Sequence, residues 1–302
     1  MPAGSPPPRV EHAGAMSEPL PIVDTHQHLW DLARFTLPWH AHAPACLAQS
    51  FLPRDYAAAT RGLNVVTTVY MEVDVAPEQH VAEAEYVLDL CRRDDNPLAG
   101  AVIACRPESP DFPEYAARWR DEPFIKGYRR VLHGPNTPRG HSRSEQFVAS
   151  VRRIGEHGKS YDVVHRPEEL ADSLALVDAC PETRFVLDHC GNVNVRASDR
   201  EQWRRDLAAI ARRPNVVCKV SGIIASADPL AWRYEDLAPI VRHVIAEFGW
   251  ERVMFAGDWP VCTPVAPLRQ WMECLRWIVR AATPAQQRAL FHDNAVSFYG
   301  LE

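Results

Sequence analysis

The sequence predicts an α/β fold of one domain, a (β/α)8 TIM barrel, and three observations favour it. First, eight short apolar segments alternate with amphipathic segments through most of the 302-residue chain, and a barrel of this kind needs about 250 residues. Second, the segments are apolar on both faces, as expected of parallel strands covered by helices on one side and core on the other. Third, no Gly-x-Gly-x-x-Gly follows any of them, so the main sign of a dinucleotide-binding sheet is missing.

The predicted strands and helices alternate along the chain. The strands cover residues 22–25, 65–71, 98–104, 124–128, 161–164, 184–187, 215–220 and 252–256. Between them, apolar residues recur at helical spacing, for example between residues 81 and 91, 237 and 248, and 268 and 278, which predicts amphipathic helices. Three hydroxyl residues, each followed three positions later by Glu or Gln, are predicted to begin helices as capping boxes: Ser142, Ser198 and Thr283.

The composition is that of an ordinary globular protein, with 46% hydrophobic and 24% charged residues. A formal charge of -6 argues against nucleic acid or an anionic membrane as the partner, and no apolar run approaches the roughly 20 residues that span a bilayer. Residues 1–20 are rich in Pro, Gly and Ala, so we predict a disordered tail followed by a barrel domain over residues 21–302. Eight scattered cysteines indicate reduced thiols in a cytoplasmic protein.

Polar residues stand at the end of every predicted strand. The carboxyl ends of the strands form one rim of a barrel, and the active sites of barrels form at this rim. His26 and His28 leave the first strand on the same face, so they can bind one metal ion or polarise one substrate oxygen. A second His-x-His pair, His40 and His42, has no strand before it, so we interpret it as a loop feature. The other strand ends carry Glu72, Arg106, Arg129 with Arg130, His165, Asp188 with His189, Lys219 with Ser221, and Asp258.

Several of these residues have two interpretations. His189 is either functional or a core histidine, and His165 either faces the rim or the first turn of the next helix. Glu72 either binds metal or substrate, or pairs with an arginine of the rim. Lys219 lies inside an apolar strand, where a lysine needs an anionic partner. Asp258, at the mouth of an apolar strand, needs a metal or a hydrogen-bond donor.

Four motifs resemble the amidohydrolase superfamily: DTHQHLW, FVLDHCGN, VCKVSGI and VMFAGDWPV. They are similar to amidohydrolase family 2, and within it to the sugar-lactone hydrolase branch that includes fuconolactonase and pyrone-dicarboxylate lactonase. The resemblance implies an amidohydrolase-type barrel with His26, His28 and Asp258 at the reacting centre and His189 as the sixth-strand histidine. Larger members hold two metals with a carboxylated lysine on the fourth strand, which ends here in Arg129. The implied cofactor is therefore one Zn²⁺, bound by His26, His28 and Asp258 with or without His189, or no metal.

Together, the residues and the resemblance predict a hydrolase that opens the ring ester of a small sugar-acid or carboxylated lactone, in carbohydrate metabolism. Asp258 is the expected general base on a water molecule, while His26 and His28, with or without one Zn²⁺, polarise the carbonyl. His189 is expected to stabilise the oxyanion or to protonate the leaving oxygen. Substrate contacts are predicted for Glu72, Arg129, His165, Lys219, Trp30 and Trp259.

Two alternatives stay open at this level. A metal-dependent, non-oxidative decarboxylase of an aromatic acid would use the same first-, sixth- and eighth-strand groups, and a non-catalytic sugar-acid binder would keep them without turnover. The expected partner is in each case a small molecule, and the chain is a monomer or a homo-oligomer. The segment 31–53, rich in aromatics and Pro, is expected to form a loop over the rim. Trp30 and Trp259 either wall the pocket or pack beneath the loops.

Overall fold

A computed structural model of the chain describes residues 20–135 and 137–301. The predicted tail, residues 1–20, lies outside the described residues except for Leu20, so its disorder stays a prediction. Within the described ranges, no helix combines the length and the apolar character needed to cross a membrane. All eight cysteines are free thiols, and only Cys46 is exposed.

Eight parallel strands form one sheet in chain order. They are β1 (Ile22–Gln27), β2 (Val65–Met71), β3 (Leu98–Ala104), β4 (Ile125–Arg129), β5 (Ser160–Val163), β6 (Arg184–Leu187), β7 (Val216–Val220) and β8 (Val253–Phe255). The first and last strands are joined at their carboxyl ends, where the Asp258 amide donates to the His26 carbonyl and the His28 amide donates to the Trp259 carbonyl, both at 2.9 Å. This closure confirms the predicted (β/α)8 barrel.

Helices follow the strands and cover the outside of the barrel. They are α1 (Pro53–Ala59), α2 (His80–Cys91), α3 (Phe112–Arg118), α4 (Glu145–Glu156), α5 (Leu170–Ala179), α6 (His189–Asn192), α7 (Glu201–Ala211), α8 (Tyr234–Phe248), α9 (Leu268–Ile278), α10 (Pro284–Arg288) and α11 (Asn294–Tyr299). Short 3₁₀ turns lie at Pro38–His42, Ala45–Leu47, Pro77–Gln79, His141–Arg143, Pro167–Glu169, Ile223–Ser226 and Trp250–Arg252, and a π turn lies at Ala289–Asp293. The helical spacing found in the sequence corresponds to α2, α8 and α9.

One predicted helix start is correct and two are wrong. Thr283 caps α10 and forms the predicted capping box. The cap of α4 is Ser144 rather than Ser142, because the Ser142 hydroxyl is hydrogen-bonded to a buried histidine instead. Ser198 does not cap α7, since the carboxylate of Asp199 accepts from the first amide of that helix at 2.8 Å.

Apolar side chains form a layer inside the barrel. This inner layer consists of Val23, Val69, Met71, Val102, Val186, Met254, Ala295, Tyr299 and Leu301. Helix α11 lies at the amino-terminal ends of the strands, since Arg184, the first residue of β6, donates to the Phe298 carbonyl. One end of the barrel is thereby closed, and the carboxyl ends of the strands are left for a functional site.

Candidate active site

His26 and His28 lie side by side at the carboxyl end of β1. The strand extends to Gln27, so His26 belongs to it and His28 directly follows it. The ring centroids are 4.8 Å apart, and both side chains are buried. His28 Nδ1 lies 2.9 Å from the Met71 carbonyl oxygen. Because a carbonyl only accepts, the neutral His28 ring carries its proton on Nδ1 and keeps the Nε2 lone pair free.

Asp258 meets this histidine pair from the end of β8. Its Oδ1 atom lies 3.4 Å from His28 Nε2 and 3.7 Å from His26 Nε2. The backbone of Asp258 has a φ of 53°, in the left-handed region that costs a residue other than glycine about 1–2 kcal/mol. Such strain is typical of functional positions, and here the hydrogen bond from the Asp258 amide to β1 maintains it.

A second buried carboxylate, Asp24 on β1, joins the first strand to the segment that follows the last strand. Asp24 accepts from the Gly257 amide at 2.7 Å and from the Tyr56 hydroxyl at 2.8 Å. Gly257 leaves the necessary room, since a Cβ at that position would lie 2.4 Å from Asp24 Oδ2. Asp24 belongs to the DTHQHLW motif, but the sequence analysis assigned it no role.

His189 approaches the same centre from the turn after β6. Its ring centroid lies 4.4 Å from that of His26, and its Nδ1 atom lies 2.9 Å from Ser221 Oγ. Like Asp258, His189 has a φ of 53°. Burial lowers the pKa of His189, which favours the neutral imidazole. The bond to Ser221 orients the ring and leaves Nε2 available.

Three of these side chains are arranged as metal ligands. His26, His189 and Asp258 each offer one ligand atom, and these atoms lie within 4.8 Å of one another. Two imidazoles and one carboxylate are a donor set of catalytic zinc sites, which leave a fourth position for water or substrate. The donor set therefore suits a single divalent metal. The sequence favours His28 as the third ligand, whereas the distances bring His189 into the compact group and leave His28 beside Asp258.

Arg129, at the end of β4, brings a buried positive charge to this centre. Its Nε atom donates to Glu72 Oε1 at 2.6 Å, and its Nη2 atom donates to the Glu72 carbonyl at 2.9 Å. Its Nη1 atom lies 3.3 Å from His26 Nε2. Although burial alone would raise it, the pKa of Glu72 is lowered by the Arg129 guanidinium. Of the two interpretations of Glu72, the structure therefore supports the second, in which Glu72 pairs with an arginine of the rim.

Lys219 lies deeper in the barrel and has no exposed surface. Its Nζ atom lies 2.6 Å from Asp162 Oδ2 and 3.4 Å from Asp188 Oδ1. Burial raises the pKa of Asp162 to about 7. Because the Lys219 charge is already paired inside the barrel, the predicted contact of Lys219 with substrate finds no support in this position. Asp162 supplies the anionic partner that a lysine inside a strand requires. Asp162 was not among the predicted site residues.

His165 is enclosed by hydroxyl groups. Its Nδ1 and Nε2 atoms are hydrogen-bonded to Ser173 Oγ at 2.8 Å and to Ser142 Oγ at 2.9 Å. Burial lowers the pKa of His165 to about 3, so the ring is neutral. With both nitrogens occupied, His165 has the environment of a satisfied core histidine, and the predicted substrate contact finds no support here.

Trp30 and Trp259 pack on a common aromatic side chain, Phe51. The Trp30 and Phe51 ring centroids are 5.0 Å apart, and those of Phe51 and Trp259 are 5.3 Å apart. Both tryptophans are buried, and the Trp30 amide donates to the Phe51 carbonyl at 3.0 Å. Of the two interpretations offered by the sequence, this arrangement supports the second, in which Trp30 and Trp259 pack beneath the segment 31–53.

The outer rim carries two more arginines from the ends of β3 and β4. Arg130 Nε lies 3.1 Å from Glu108 Oε1, and Arg106 Nη2 lies 4.0 Å from Asp74 Oδ1. Their charges are paired with surface carboxylates. Neither arginine is therefore among the residues that meet Asp258.

His133 also lies near this centre, although it was not among the predicted site residues. The Leu132 amide donates to the Val164 carbonyl at 3.2 Å, which fixes this segment beside the end of β5. The His133 side chain is exposed, yet the surrounding protein lowers its pKa to about 4, with further lowering by Arg129 and His189. Nothing in the local sequence pattern distinguishes this histidine from one in an ordinary loop.

Comparison with known proteins agrees with this geometry. A family model described as amidohydrolase matches residues 23–301. The chain is similar to L-fucono-1,5-lactonase of Burkholderia multivorans, with 28% identity over 92% of this chain and 96% of that protein. It is similar to the crystal structure of an amidohydrolase from Burkholderia multivorans with bound Zn (TM-score 0.84, 25% identity, 93% of this chain and 100% of that chain). It is also similar to amidohydrolase 2 from Bifidobacterium longum subsp. infantis (TM-score 0.72, 26% identity, 94% and 100%). These matches confirm the resemblance found in the motifs, and the chain belongs to the amidohydrolase family.

Proposed function

We propose that this protein is a lactonase, which hydrolyses the ring ester of a small sugar-acid or carboxylated lactone. The observation that carries the proposal is the meeting of Asp258 with His26, His28 and His189 in one buried centre. A carboxylate in such a centre can take a proton from water, while neighbouring donors and cations stabilise an oxyanion. The similarity to the L-fucono-1,5-lactonase of Burkholderia multivorans supports the lactone class.

Asp258 is the proposed general base. It accepts a proton from a water molecule, whose oxygen forms a bond with the carbonyl carbon of the lactone. The carbonyl oxygen becomes an oxyanion, and its collapse breaks the bond between that carbon and the ring oxygen. The ring oxygen takes up the proton that Asp258 removed and becomes a hydroxyl group. The new carboxylic acid then releases a proton to the solvent, which a pH indicator detects.

Two further residues are proposed to contact the reacting ester. Arg129 presents Nη1 toward the centre, 3.3 Å from His26 Nε2, and is placed to stabilise the oxyanion or a substrate carboxylate. In the centre without metal, His189, whose Nδ1 is bonded to Ser221, is placed to donate from Nε2 to the carbonyl oxygen or to the leaving ring oxygen. Both residues act at short range because the centre is buried, where electrostatic interactions are stronger than in water.

The metal that we propose is Zn²⁺, held by His26, His189 and Asp258 with His28 beside them. When bound, it polarises the carbonyl and promotes the loss of a proton from water. The chain itself orients the histidines, through the Met71 carbonyl for His28 and the Ser221 hydroxyl for His189. The Zn present in the amidohydrolase from Burkholderia multivorans supports this choice.

We also propose a cytoplasmic role in carbohydrate metabolism, with a small molecule as the partner. Eight free cysteines, seven of them buried, are typical of a reducing compartment. Sugar-acid lactones are intermediates of the kind that such metabolism supplies. The chain would act as a monomer or a homo-oligomer.

A pH-indicator assay with a panel of sugar lactones and aromatic lactones tests the proposal, with Zn²⁺ or Mn²⁺ added. We expect acid release from at least one lactone, and a loss of about 10²- to 10⁴-fold in kcat/KM in the Asp258→Asn variant. The matched control is Asp89→Asn, which removes a carboxylate that is 80% exposed on α2. This control is expected to keep the wild-type rate.

Three outcomes would contradict the proposal. Release of carbon dioxide from hydroxybenzoates without any lactone hydrolysis would identify the decarboxylase instead. Tight binding of a lactone without product would identify the sugar-acid binder. Near-normal turnover by Asp258→Asn would remove Asp258 from the role of general base.

A further inference from the structure

Asp188, the residue after β6, is wholly buried among charged groups. Lys219 Nζ lies 3.4 Å from its Oδ1 atom, and Arg129 Nη1 lies 3.2 Å from its Oδ2 atom. Each of these cations has a closer carboxylate at 2.6 Å, Asp162 for Lys219 and Glu72 for Arg129. The network thus contains two cations and three carboxylates. Each cation therefore lies between two carboxylates, and Asp188 is the one that both cations share.

The Oδ1 oxygen of Asp188, which lies beside Lys219, also faces His26. Asp188 Oδ1 lies 3.6 Å from His26 Nδ1. Among the described residues, neither atom has a hydrogen-bond partner, although both are buried. Burying a polar atom without a partner is unfavourable, so this pair of atoms is expected to come together. A shift of a few tenths of an ångström would join the two atoms in a hydrogen bond.

The other ring nitrogen of His26 determines where its proton lies. Arg129 Nη1 is 3.3 Å from His26 Nε2. A guanidinium nitrogen only donates, so Nε2 is the acceptor of this pair. A ring nitrogen that accepts carries no proton, and the proton of His26 is therefore on Nδ1, the atom that faces Asp188. His26 Nε2 also lies 3.7 Å from Asp258 Oδ1, and a metal ion bound between them would take up the lone pair that accepts from Arg129 here.

We propose that Asp188 is a positioning residue that acts through His26: it accepts from Nδ1–H and keeps the Nε2 lone pair directed at the reacting centre. Lys219, which is itself paired with Asp162, lies 3.4 Å from the same Asp188 Oδ1 atom and holds it in place. Histidine ligands of metals commonly donate their second N–H to a carboxylate, and removing that partner weakens metal binding by about 10- to 100-fold. The effect on catalysis rests on the proposed function, whereas the tautomer of His26 does not.

Asp188→Asn tests this role through two measurements that need no lactone. The amide has the size of the carboxylate but can donate to Nδ1, which favours the Nε2–H tautomer. In ¹⁵N NMR spectra of the imidazoles, with the His26 signals identified by their loss in His26→Gln, we expect Nδ1–H in the wild-type protein and a shift toward Nε2–H in Asp188→Asn. Zn²⁺ affinity, measured by competition with a chelating dye, is expected to fall about 10- to 100-fold. With a lactone that is turned over, kcat is expected to change more than KM.

Asp162→Asn is the matched control, because it removes a carboxylate of the same network that pairs with Lys219. We expect it to lower the free energy of unfolding and to leave the His26 tautomer unchanged. A wild-type spectrum with the proton on Nε2 would overturn the proposal, whether or not the variants fold. An Asp188→Asn protein with the wild-type tautomer and Zn²⁺ affinity would also overturn it. Lactone turnover that is independent of Asp188 would leave the lactonase proposal intact, so the two failures are distinguishable.

Discussion

Gly222 shows how single residues place the side chains of the candidate site. A Cβ on Gly222 would lie 2.4 Å from His189 Cγ, and the φ of Gly222 is +66°. Gly222→Ala is therefore expected to displace the His189 ring and to lower both kcat/KM for a lactone and Zn²⁺ affinity by about 10-fold or more, the range for a misoriented ligand. Steady-state kinetics and dye competition measure the two effects.

Gly158 provides the control for this substitution. Its φ is +71°, and no atom lies within 4 Å of a Cβ built there. Gly158→Ala introduces the same backbone strain of about 1 kcal/mol, without the clash, so activity should stay at the wild-type level. Equal losses of activity in both variants would show that strain, rather than contact with His189, is responsible.

His165 leads to a second prediction for single residues. Ser142→Ala removes the partner of His165 Nε2, which should lower the free energy of unfolding by about 1–3 kcal/mol and leave KM unchanged. Urea denaturation and lactone kinetics test the two parts. Ser144→Ala removes the α4 cap instead and should cost about 1 kcal/mol. A raised KM with unchanged stability in Ser142→Ala would return His165 to the substrate site.

Helix α2 and strand β2 are joined by a buried carboxyl group. Glu83 Oε1 accepts from the Tyr70 hydroxyl at 2.9 Å and from the Val73 amide at 2.8 Å. Burial, and then the neighbouring carboxylate of Glu72, raises the pKa of Glu83 from 4.5 to about 8. A carboxyl group whose pKa is higher in the folded than in the unfolded protein favours folding most at low pH, and this contribution is lost as the pH rises through the folded pKa.

The wild-type free energy of unfolding should therefore decrease between about pH 5 and about pH 9 through Glu83. Glu83→Gln removes the titration, so its stability should depend less on pH across this interval. Urea denaturation at the two pH values measures the difference. Glu85→Gln on the same helix is the control, since the Glu85 side chain is 53% exposed, and it should follow the wild type. A Glu83→Gln protein with the wild-type pH dependence would show that Glu83 is ionised throughout.

At the level of elements, the local sequence predicted the strands well and the helix caps less well. The strands follow from apolar segments that are buried on both faces, a signal that local sequence contains. The caps of α4 and α7 depend on which hydroxyl or carboxylate is free to bond an amide. Ser142 is not free, because it is bonded to His165, 23 positions further along the chain. That choice depends on tertiary contacts, which a local pattern does not contain.

For the molecule as a whole, the last helix closes the end of the barrel opposite the site. Tyr299 on α11 belongs to the inner apolar layer, and its ring centroid lies 5.9 Å from Lys219 Nζ. Tyr299→Ala should leave a cavity and lower the free energy of unfolding by about 3–5 kcal/mol, as for other large aromatic residues. Thermal or urea unfolding measures this loss. Phe298→Ala, at a half-buried position of the same helix, should cost less, and an equal cost would contradict this role of Tyr299.

Barrel topology also explains why most residues of the candidate site could be predicted from the sequence. Parallel strands in chain order bring every strand end to one rim, so His26, His28, His189 and Asp258 were all found as strand-end residues. The partners of Lys219 were not found, because Asp162 lies 57 positions away and meets it only through the register of the closed sheet. His133 lies in a loop whose course no periodicity predicts.

We propose above that side chains from the first and last strands form one metal-binding centre for lactone hydrolysis. Anomalous diffraction from a crystal of the Zn²⁺-loaded protein tests it most directly. We predict one strong peak with His26 Nε2 and an Asp258 oxygen at about 2.0–2.2 Å, and its loss in Asp258→Asn. A peak elsewhere in the barrel, with none between these two residues, would contradict the account.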